Sequence, residues 1–207
     1  KVRKWSTQSR ENAPWYQHEE IGYNYRMSNV IAGVIRGQLP HLEEHIAQKK
    51  AIWERYKEGF RDLPVQMNPA DLENSEPNFW LSCLLIDPEA MCPAVRGDGE
   101  ALYRPEHGKS CPTEILNVLA AMNAEGRPIW KPMHMQPIYR SHAFITREGN
   151  GRARTNAYLG GGAVGKDGKP LDVGMDIFRR GLCLPSDNKM TPEEQDVIIR
   201  AVRACFA

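Results

Sequence analysis

The sequence has no long apolar run and no excess of one charge. Its longest apolar stretch, residues 79–86, is far too short to cross a bilayer, and no signal-peptide core follows the charged first residues. The 27 lysines and arginines nearly cancel the 26 aspartates and glutamates, so the chain lacks the strong field that attracts nucleic acid or an anionic membrane. The composition predicts a globular cytoplasmic protein that binds neither.

Cysteine is scarce and scattered. The five cysteines include no C-x-x-C pair, and an odd count without metal-ligand spacing predicts reduced thiols rather than a disulfide framework. Cys83 lies in the apolar run and Cys205 on the apolar face of the last helix, so we interpret both as packing residues. His41 and His45 lie four apart on a charged helical face, which is typical of a solvated surface. No metal site is predicted.

Helical periodicity is clearest in residues 28–61. Ser28 has the position of an N-cap, and the apolar residues of the helix that follows are spaced for one face: Val30, Ile31, Val34 and Ile35. Pro40 bends or restarts this helix. A long amphipathic helix then carries Leu42, Ile46, Trp53, Tyr56 and Phe60.

The rest of the chain alternates between short elements and loops. Residues 79–86 and 180–184 have strand character, Pro112 begins a helix that Gly126 stops, and Thr191 with Glu194 forms a capping box before the last helix. Residues 91–111 and 149–174 resemble inserted loops. This order of elements predicts an α+β domain.

One glycine-rich segment nearly matches a nucleotide-binding loop. Residues 160–167 read G-G-G-A-V-G-K-D, but Asp167 stands where a hydroxyl should bind Mg²⁺, and no apolar strand precedes the segment. We interpret it as a flexible loop.

Two segments carry an unusual density of functional groups. G-Y-N-Y-R-M-S at 22–28 stands directly before a helix, which suits either an anion or phosphate site or a structured N-cap loop. W-K-P-M-H-M-Q-P at 130–137 suits either a rigid pocket wall or an irregular core loop with a satisfied histidine.

The motif at 22–28, with Ala32 and G-Q-L at 37–39, resembles the DegT/DnrJ/EryC1/StrS sugar aminotransferases, fold-type-I enzymes that depend on pyridoxal phosphate (PLP). K-P-M-H at 131–134 and F-R-R-G-L-C-L-P-S at 178–186 resemble the bacillosamine-type branch. That branch aminates UDP-4-keto-6-deoxy-N-acetylhexosamines at C4 in glycan and exopolysaccharide synthesis, with glutamate as amino donor. The likeness covers nearly the whole chain apart from the two loops.

The resemblance implies a fold and a division of the chain. Residues 1–27 would be a remnant of the large PLP-binding domain with its inter-subunit loop, and residues 28–61 would be long linking helices. Residues 62–207 would be the C-terminal small domain, with helices packed on a small, mostly antiparallel sheet.

The resemblance also implies roles for particular residues. Asn24 would reach across a homodimer to the PLP phosphate of the other subunit, while Arg26 would hold its loop or meet an anionic ligand. The nucleotide-sugar pocket would be lined by Trp130, Lys131, Pro132, Met133 and His134, with Phe144 and His142 at the same mouth.

The chain departs from the family in what precedes the motif at 22–28. Transamination needs a lysine that binds the cofactor covalently, and the family keeps it upstream of that motif. None of the ten lysines here stands in a matching context, and Lys131 is expected to contact substrate. The chain is therefore expected to be a C-terminal portion that is inactive alone. The alternatives are a stand-alone dimerising or nucleotide-sugar-binding module, or one subunit of a split enzyme.

Overall fold

The computed structural model describes residues 1–14, 16–96, 100–139, 142–144, 153–154, 168 and 172–207. The glycine-rich segment 160–167 lies outside them, so the interpretation of that segment stays a prediction. The described chain divides into two compact units, Lys1–His45 and Ile46–Ala207. Within the described ranges, no helix is both long and apolar enough to cross a bilayer.

The described part of the first unit is mainly helical and buries little surface. Helix α1 spans Val2–Ser6 and helix α2 spans Asn29–Gln38. The Ser28 hydroxyl accepts the Ile31 N–H at 3.3 Å, which confirms the predicted N-cap. The apolar residues of α2 do share a face, but that face is exposed: Val30 is 76% and Val34 59% accessible.

The restart predicted at Pro40 is confirmed. A 3₁₀ turn spans Leu39–His41, and helix α3 follows over Leu42–Gly59. Since proline lacks an N–H donor and its ring crowds the preceding turn, the chain tightens there before the α-helix resumes. Trp53 and Tyr56 are the large residues that α3 buries in the second unit.

The second unit is built on a four-stranded antiparallel sheet with strand order β1-β2-β8-β5. These strands are β1 (Val65–Met67), β2 (Ser82–Ile86), β5 (Arg127–Pro128) and β8 (Gly181–Leu184). Two further hairpins pair β3 (Ala94–Arg96) with β4 (Ala101–Tyr103) and β6 (Ala143–Phe144) with β7 (Ala153–Arg154). The α+β prediction is confirmed.

Helices α3, α4 (Pro112–Ala121) and α6 (Pro192–Ala204) bury the apolar face of the sheet. The largest side chains sealed inside are Tyr56, Phe60, Leu84, Ile86, Ile115, Leu119, Leu182 and Val202. Tyr56 is satisfied there because its hydroxyl donates to the Pro185 carbonyl at 2.7 Å, and burial raises its pKa. The predicted capping box at Thr191 is confirmed, with Thr191 and Glu194 each accepting the other's N–H.

The predicted stop of α4 at Gly126 is wrong. The helix ends at Ala121, and Asn123 takes the left-handed conformation with φ of 58°. The Ala124 N–H then donates to the Leu119 carbonyl at 2.9 Å, which completes a Schellman motif. Gly126 instead allows close packing against α4, since a Cβ there would lie 2.8 Å from a methyl carbon of Leu116.

Both predicted loops contain regular structure. Residues 91–111 hold the β3–β4 hairpin, and a helix, α5, begins within 149–174 and spans Val173–Arg180. The strand predicted over 79–86 starts only at Ser82, because Phe79 has a left-handed φ of 51°. High glycine and charge content concealed α5, and the short strands of the hairpin carry too few residues for a clear periodicity.

Candidate functional site

The loop of residues 22–28 is hydrogen-bonded along its length to residues 5–8. The Tyr23 N–H donates to the Trp5 carbonyl at 2.8 Å, and the Gln8 N–H donates to the Tyr23 carbonyl at 2.9 Å. The Tyr25 N–H donates to the Ser6 carbonyl at 3.1 Å. These bonds on both sides of Asn24 fix its backbone position within the first unit.

Glycine is required at position 22 because the backbone of residues 8–9 passes close to it, and not because of an unusual φ. A Cβ at this position would lie 2.2 Å from the backbone carbon of Gln8 and from the backbone nitrogen of Ser9. The Ser9 hydroxyl, which is fully buried, donates to the Ile21 carbonyl at 3.2 Å and ties the same crossing together. Only glycine lets the two segments come this close.

Asn24 faces an open cavity of about 690 Å³ rich in polar groups. Its Oδ1 accepts the Arg26 N–H at 3.4 Å, so the side-chain NH₂ is the donor end of the amide. The Arg10 guanidinium lies 4.2 Å from the centre of the Tyr16 ring. The lining residues are Ser6, Thr7, Gln8, Arg10, Glu11, Asn12, Ala13, Tyr16, Asn24 and Arg26.

Two acidic groups of this unit, Glu11 and Glu20, are paired with lysines. Lys4 pairs with Glu11, and that hydrogen bond raises the pKa of Lys4. The pKa of Glu20 is lowered, first by a hydrogen bond from the Trp5 side chain and then by Lys1 and Lys4. The negative charge of Glu11 in the cavity wall is therefore offset by a lysine, which favours an anion beside Arg10 and Arg26.

The second segment, residues 130–136, forms a compact turn in the second unit. A 3₁₀ turn spans Met133–Met135, and the Met135 N–H donates to the Pro132 carbonyl at 2.9 Å. The buried Met135 side chain anchors the turn, while the Gln136 amide donates to the Lys131 carbonyl at 3.2 Å. Pro132 also packs closely on α5, because a Cβ added to Gly174 would lie 3.2 Å from its ring.

Two exposed indoles stand beside this turn. Trp80 and Trp130 are 64% and 63% accessible, with ring centres 6.0 Å apart. Adjacent exposed aromatic rings suit stacking against a planar or sugar ring. Trp80 was predicted only as part of a strand; it precedes β2 and follows Phe79, whose left-handed backbone no local motif indicates.

His134 is held by a carboxylate that the sequence analysis did not single out. Its Nε2 lies 2.6 Å from Oδ2 of Asp172, and the two side chains are 19% and 8% exposed. Because a carboxylate only accepts, the imidazole donates from Nε2. The other oxygen, Oδ1, accepts the Met175 N–H at 2.9 Å and caps α5. Because aspartate is a preferred N-cap residue, a helix start at Asp172 is the signal by which the sequence could have pointed to this residue.

The structure thus brings Trp130, Lys131, Pro132, Met133 and His134 together in one turn of the second unit. His142 makes an edge contact with Tyr139 at 5.7 Å between ring centres. Phe144 is the second residue of β6, and its side chain lies outside the described residues. Asn24 belongs to the first unit.

Residues 1–98 match the profile of the DegT/DnrJ/EryC1/StrS aminotransferase family. The predicted resemblance to this family is confirmed. The chain is 33% identical over 206 residues to EpsN of Bacillus subtilis (strain 168), provisionally described as a pyridoxal phosphate-dependent aminotransferase. That alignment covers 100% of this chain and 43% of EpsN.

Two further proteins are similar to this chain at lower identity. GDP-perosamine synthase of Vibrio cholerae is 27% identical over 124 residues, which are 60% of this chain and 29% of that enzyme. The PLP form of Spr1654 from Streptococcus pneumoniae, provisionally described as a sugar aminotransferase, superposes with a TM-score of 0.66 at 18% identity. It covers 98% of this chain and 42% of Spr1654. The chain spans less than half the length of these relatives and has the fold of the corresponding part of an aminotransferase.

The described residues fit one part of a PLP site. The Asn24 amide and the guanidinium groups of Arg10 and Arg26 are donors suited to a phosphate monoester, and they line one polar cavity. PLP bound there would supply an electron-withdrawing ring. Among the described lysines, none lines this cavity.

Proposed function

We propose that this chain is the C-terminal portion of a PLP-dependent nucleotide-sugar aminotransferase. The reaction moves an amino group from glutamate to the C4 keto group of a UDP-4-keto-6-deoxy-N-acetylhexosamine, in glycan or exopolysaccharide biosynthesis in the cytoplasm. The family match and the similarity to EpsN support the reaction class. The K-P-M-H motif at 131–134, held in a rigid turn, supports the substrate class.

In this proposal the chain divides by task. Residues 1–27 carry the inter-subunit loop, residues 28–61 are the linking helices, and residues 62–207 are the small domain. Asn24 donates to the PLP phosphate of the other subunit of a homodimer. Its exposed amide, on a backbone pinned by residues 5–8, supports a contact made outward from this unit.

The turn at 130–136 binds the nucleotide sugar. Trp130 offers an exposed ring face for stacking, and Asp172 holds His134 in one orientation toward the substrate. Lys131 supplies a cation for the diphosphate, and Pro132 with Met133 shapes the wall. The His134–Asp172 pair is the observation that carries this assignment, because it gives a substrate-facing histidine a fixed tautomer.

Calorimetric titration of the purified chain with UDP-N-acetylglucosamine tests the binding role. We expect His134→Ala to weaken binding at least about tenfold, or about 1.4 kcal/mol. His107→Ala is the matched control, since that histidine is exposed and lies in the 91–111 segment. Equal affinities for the wild type and His134→Ala would overturn the assignment of the turn. Parallel titrations with UDP and with N-acetylglucosamine separate nucleotide from sugar recognition.

Borohydride reduction of a mixture of the chain with PLP, followed by intact mass, tests whether any lysine of this chain binds PLP covalently. We expect no stoichiometric adduct, because no lysine lines the described cavity beside Asn24. One adduct on one lysine would overturn this expectation, with Lys131 the first position to map.

Activity regained only on mixing with a chain that carries the lysine would identify a split enzyme. Sugar binding without such a partner or any activity would favour the stand-alone module.

A further inference from the structure

Cys83 and Cys183 face each other across the two central strands of the sheet. They are register partners in the β2–β8 ladder, and their sulfur atoms are 3.7 Å apart. The backbone N–H and C=O of Cys83 bond to Asn68, on the β1 side, so neither bonds to β8. This makes the cysteines a non-hydrogen-bonded pair, with Cα atoms about 4.5 Å apart, inside the range of protein disulfides.

Closing this pair needs only a local movement, because the two residues already face each other in the ladder with their sulfur atoms 3.7 Å apart. The next pair in the ladder, Leu84 with Leu182, is sealed in the core and prevents a slip of register. Because side chains alternate along a strand, Cys83 and Cys183 point to the opposite face of the sheet from these leucines. Rotation about the side-chain bonds would bring the sulfurs to about 2.05 Å, the length of a disulfide.

The two thiols have different reactivity. Cys83 is partly exposed, while Cys183 is 4% accessible. The hydrogen bond between the two sulfur atoms lowers the pKa of Cys83. The same hydrogen bond, together with burial, raises the pKa of Cys183. Cys83 is therefore suited to attack first, and Cys183 to act as the resolving thiol.

A second cysteine pair in the same unit lacks this chemistry. Cys92 and Cys111 are also hydrogen-bonded, but they are 2% and 0% accessible. Burial is the main cause that raises the pKa of Cys92 to about 12. Cys205 is half-buried, and burial raises its pKa to about 11. Of the five cysteines, the pair across β2 and β8 combines access, proximity and a stabilised thiolate.

We propose that Cys83 and Cys183 form a reversible redox site that closes to a disulfide with a low-molecular-weight disulfide as oxidant. The Cys83 thiolate attacks one sulfur of the oxidant, forms a mixed disulfide and releases one thiolate. Cys183 then loses its proton and attacks the Cys83 sulfur, which releases the second thiolate. Two protein thiols are oxidised to one disulfide, and the oxidant is reduced to two thiols.

Incubation of the full chain with oxidised glutathione, followed by alkylation in denaturant and intact mass, tests the proposal. We expect the loss of two hydrogen atoms and alkylation of three of the five thiols, with the disulfide peptide mapping to Cys83 and Cys183. Dithiothreitol should restore all five. Five alkylated thiols after oxidation, a disulfide between other cysteines, or a glutathione adduct on Cys83 that never closes would overturn the proposal.

Single variants separate the two roles. Cys183→Ser should trap glutathione on Cys83, whereas Cys83→Ser should give neither adduct nor disulfide. Cys205→Ser is the matched control, and it should close the disulfide as the wild type does. A disulfide that persists in Cys83→Ser would also contradict the assignment. If a serine variant fails to fold, peptide mapping of the oxidised wild type still decides between the cysteine pairs.

Discussion

The two units of this chain follow the same local rules and reach opposite degrees of burial. Among the described residues of Lys1–His45, Ser9 is the only buried side chain, and backbone hydrogen bonds to residues 5–8 hold the loop of residues 22–28. In Ile46–Ala207, three helices cover the sheet and seal a core that includes Tyr56 and Leu84. An apolar stripe at helical spacing therefore does not decide whether that stripe is buried.

Helices α2 and α6 show the difference most directly. Each begins at a hydroxyl N-cap, Ser28 or Thr191, whose side chain accepts an N–H three residues on. Helix α6 buries Ile198 and Val202 against the core, whereas the apolar face of α2 stays exposed. Capping and periodicity are local properties, while burial needs a complementary surface.

The largest effect that separates the units is expected from core truncation. Leu84→Ala should lower the free energy of unfolding by about 2–5 kcal/mol, because it removes a fully buried side chain and leaves a cavity. Val34→Ala on the exposed face of α2 should change it by no more than about 0.5 kcal/mol. Chemical denaturation of both variants measures this. If Val34→Ala lowered the free energy of unfolding by well over that amount, α2 would be buried in an assembly of the chain.

A smaller and local effect is expected at Gly22. Gly22→Ala should weaken the crossing of residues 8–9 with the loop by about 1–3 kcal/mol, since the new Cβ meets backbone atoms at 2.2 Å. Hydrogen exchange should show faster exchange of the Gln8 and Tyr23 amides, while β2 and β8 keep their protection. Gly33→Ala is the control, because nothing lies within 4 Å of a Cβ there. Unchanged exchange in Gly22→Ala would contradict the close approach.

The smallest effect is expected at the ion pair of Asp62 and Arg203 in the second unit. Hydrogen bonds from Arg203 lower the pKa of the Asp62 carboxyl from 3.8 to about 2. A lowered folded-state pKa means that the stabilisation is complete above the unfolded pKa of 3.8 and is lost as the pH falls toward 2. The Asp62 side chain is 60% exposed, so the effect is screened by solvent and salt.

Thermal unfolding of Asp62→Asn against the wild type, from pH 6 down to pH 3, measures this contribution. We expect a small difference in Tm at pH 6 that shrinks as the pH falls. Glu58→Gln is the control: Glu58 pairs with Arg61 three residues on, and both side chains are largely exposed. A difference in Tm that grows on acidification would contradict a lowered pKa of Asp62 in the folded state.

Local sequence signals predicted most of the helices and missed a helix in a segment of atypical composition. The caps at Ser28 and Thr191 and the restart at Pro40 were all read correctly from neighbouring residues. Helix α5 was missed because its segment is rich in glycine and charge. The stop of α4 was misplaced because asparagine, like glycine, can take the left-handed conformation.

Within the candidate site, the sequence alone indicated the two motifs but not the partners that support them. His134 and Asp172 are 38 residues apart, and Cys83 and Cys183 are 100 residues apart. Helix starts and loop motifs depend on residues within a few positions, where the chain itself enforces proximity. Pairings across such separations exist only after the core has closed the intervening loops, because burial in the core offsets the entropy lost in closing them. The sequence therefore determined most of the helices and the resemblance to the aminotransferase family, whereas the tertiary structure decided which carboxylate holds His134 and which thiols meet.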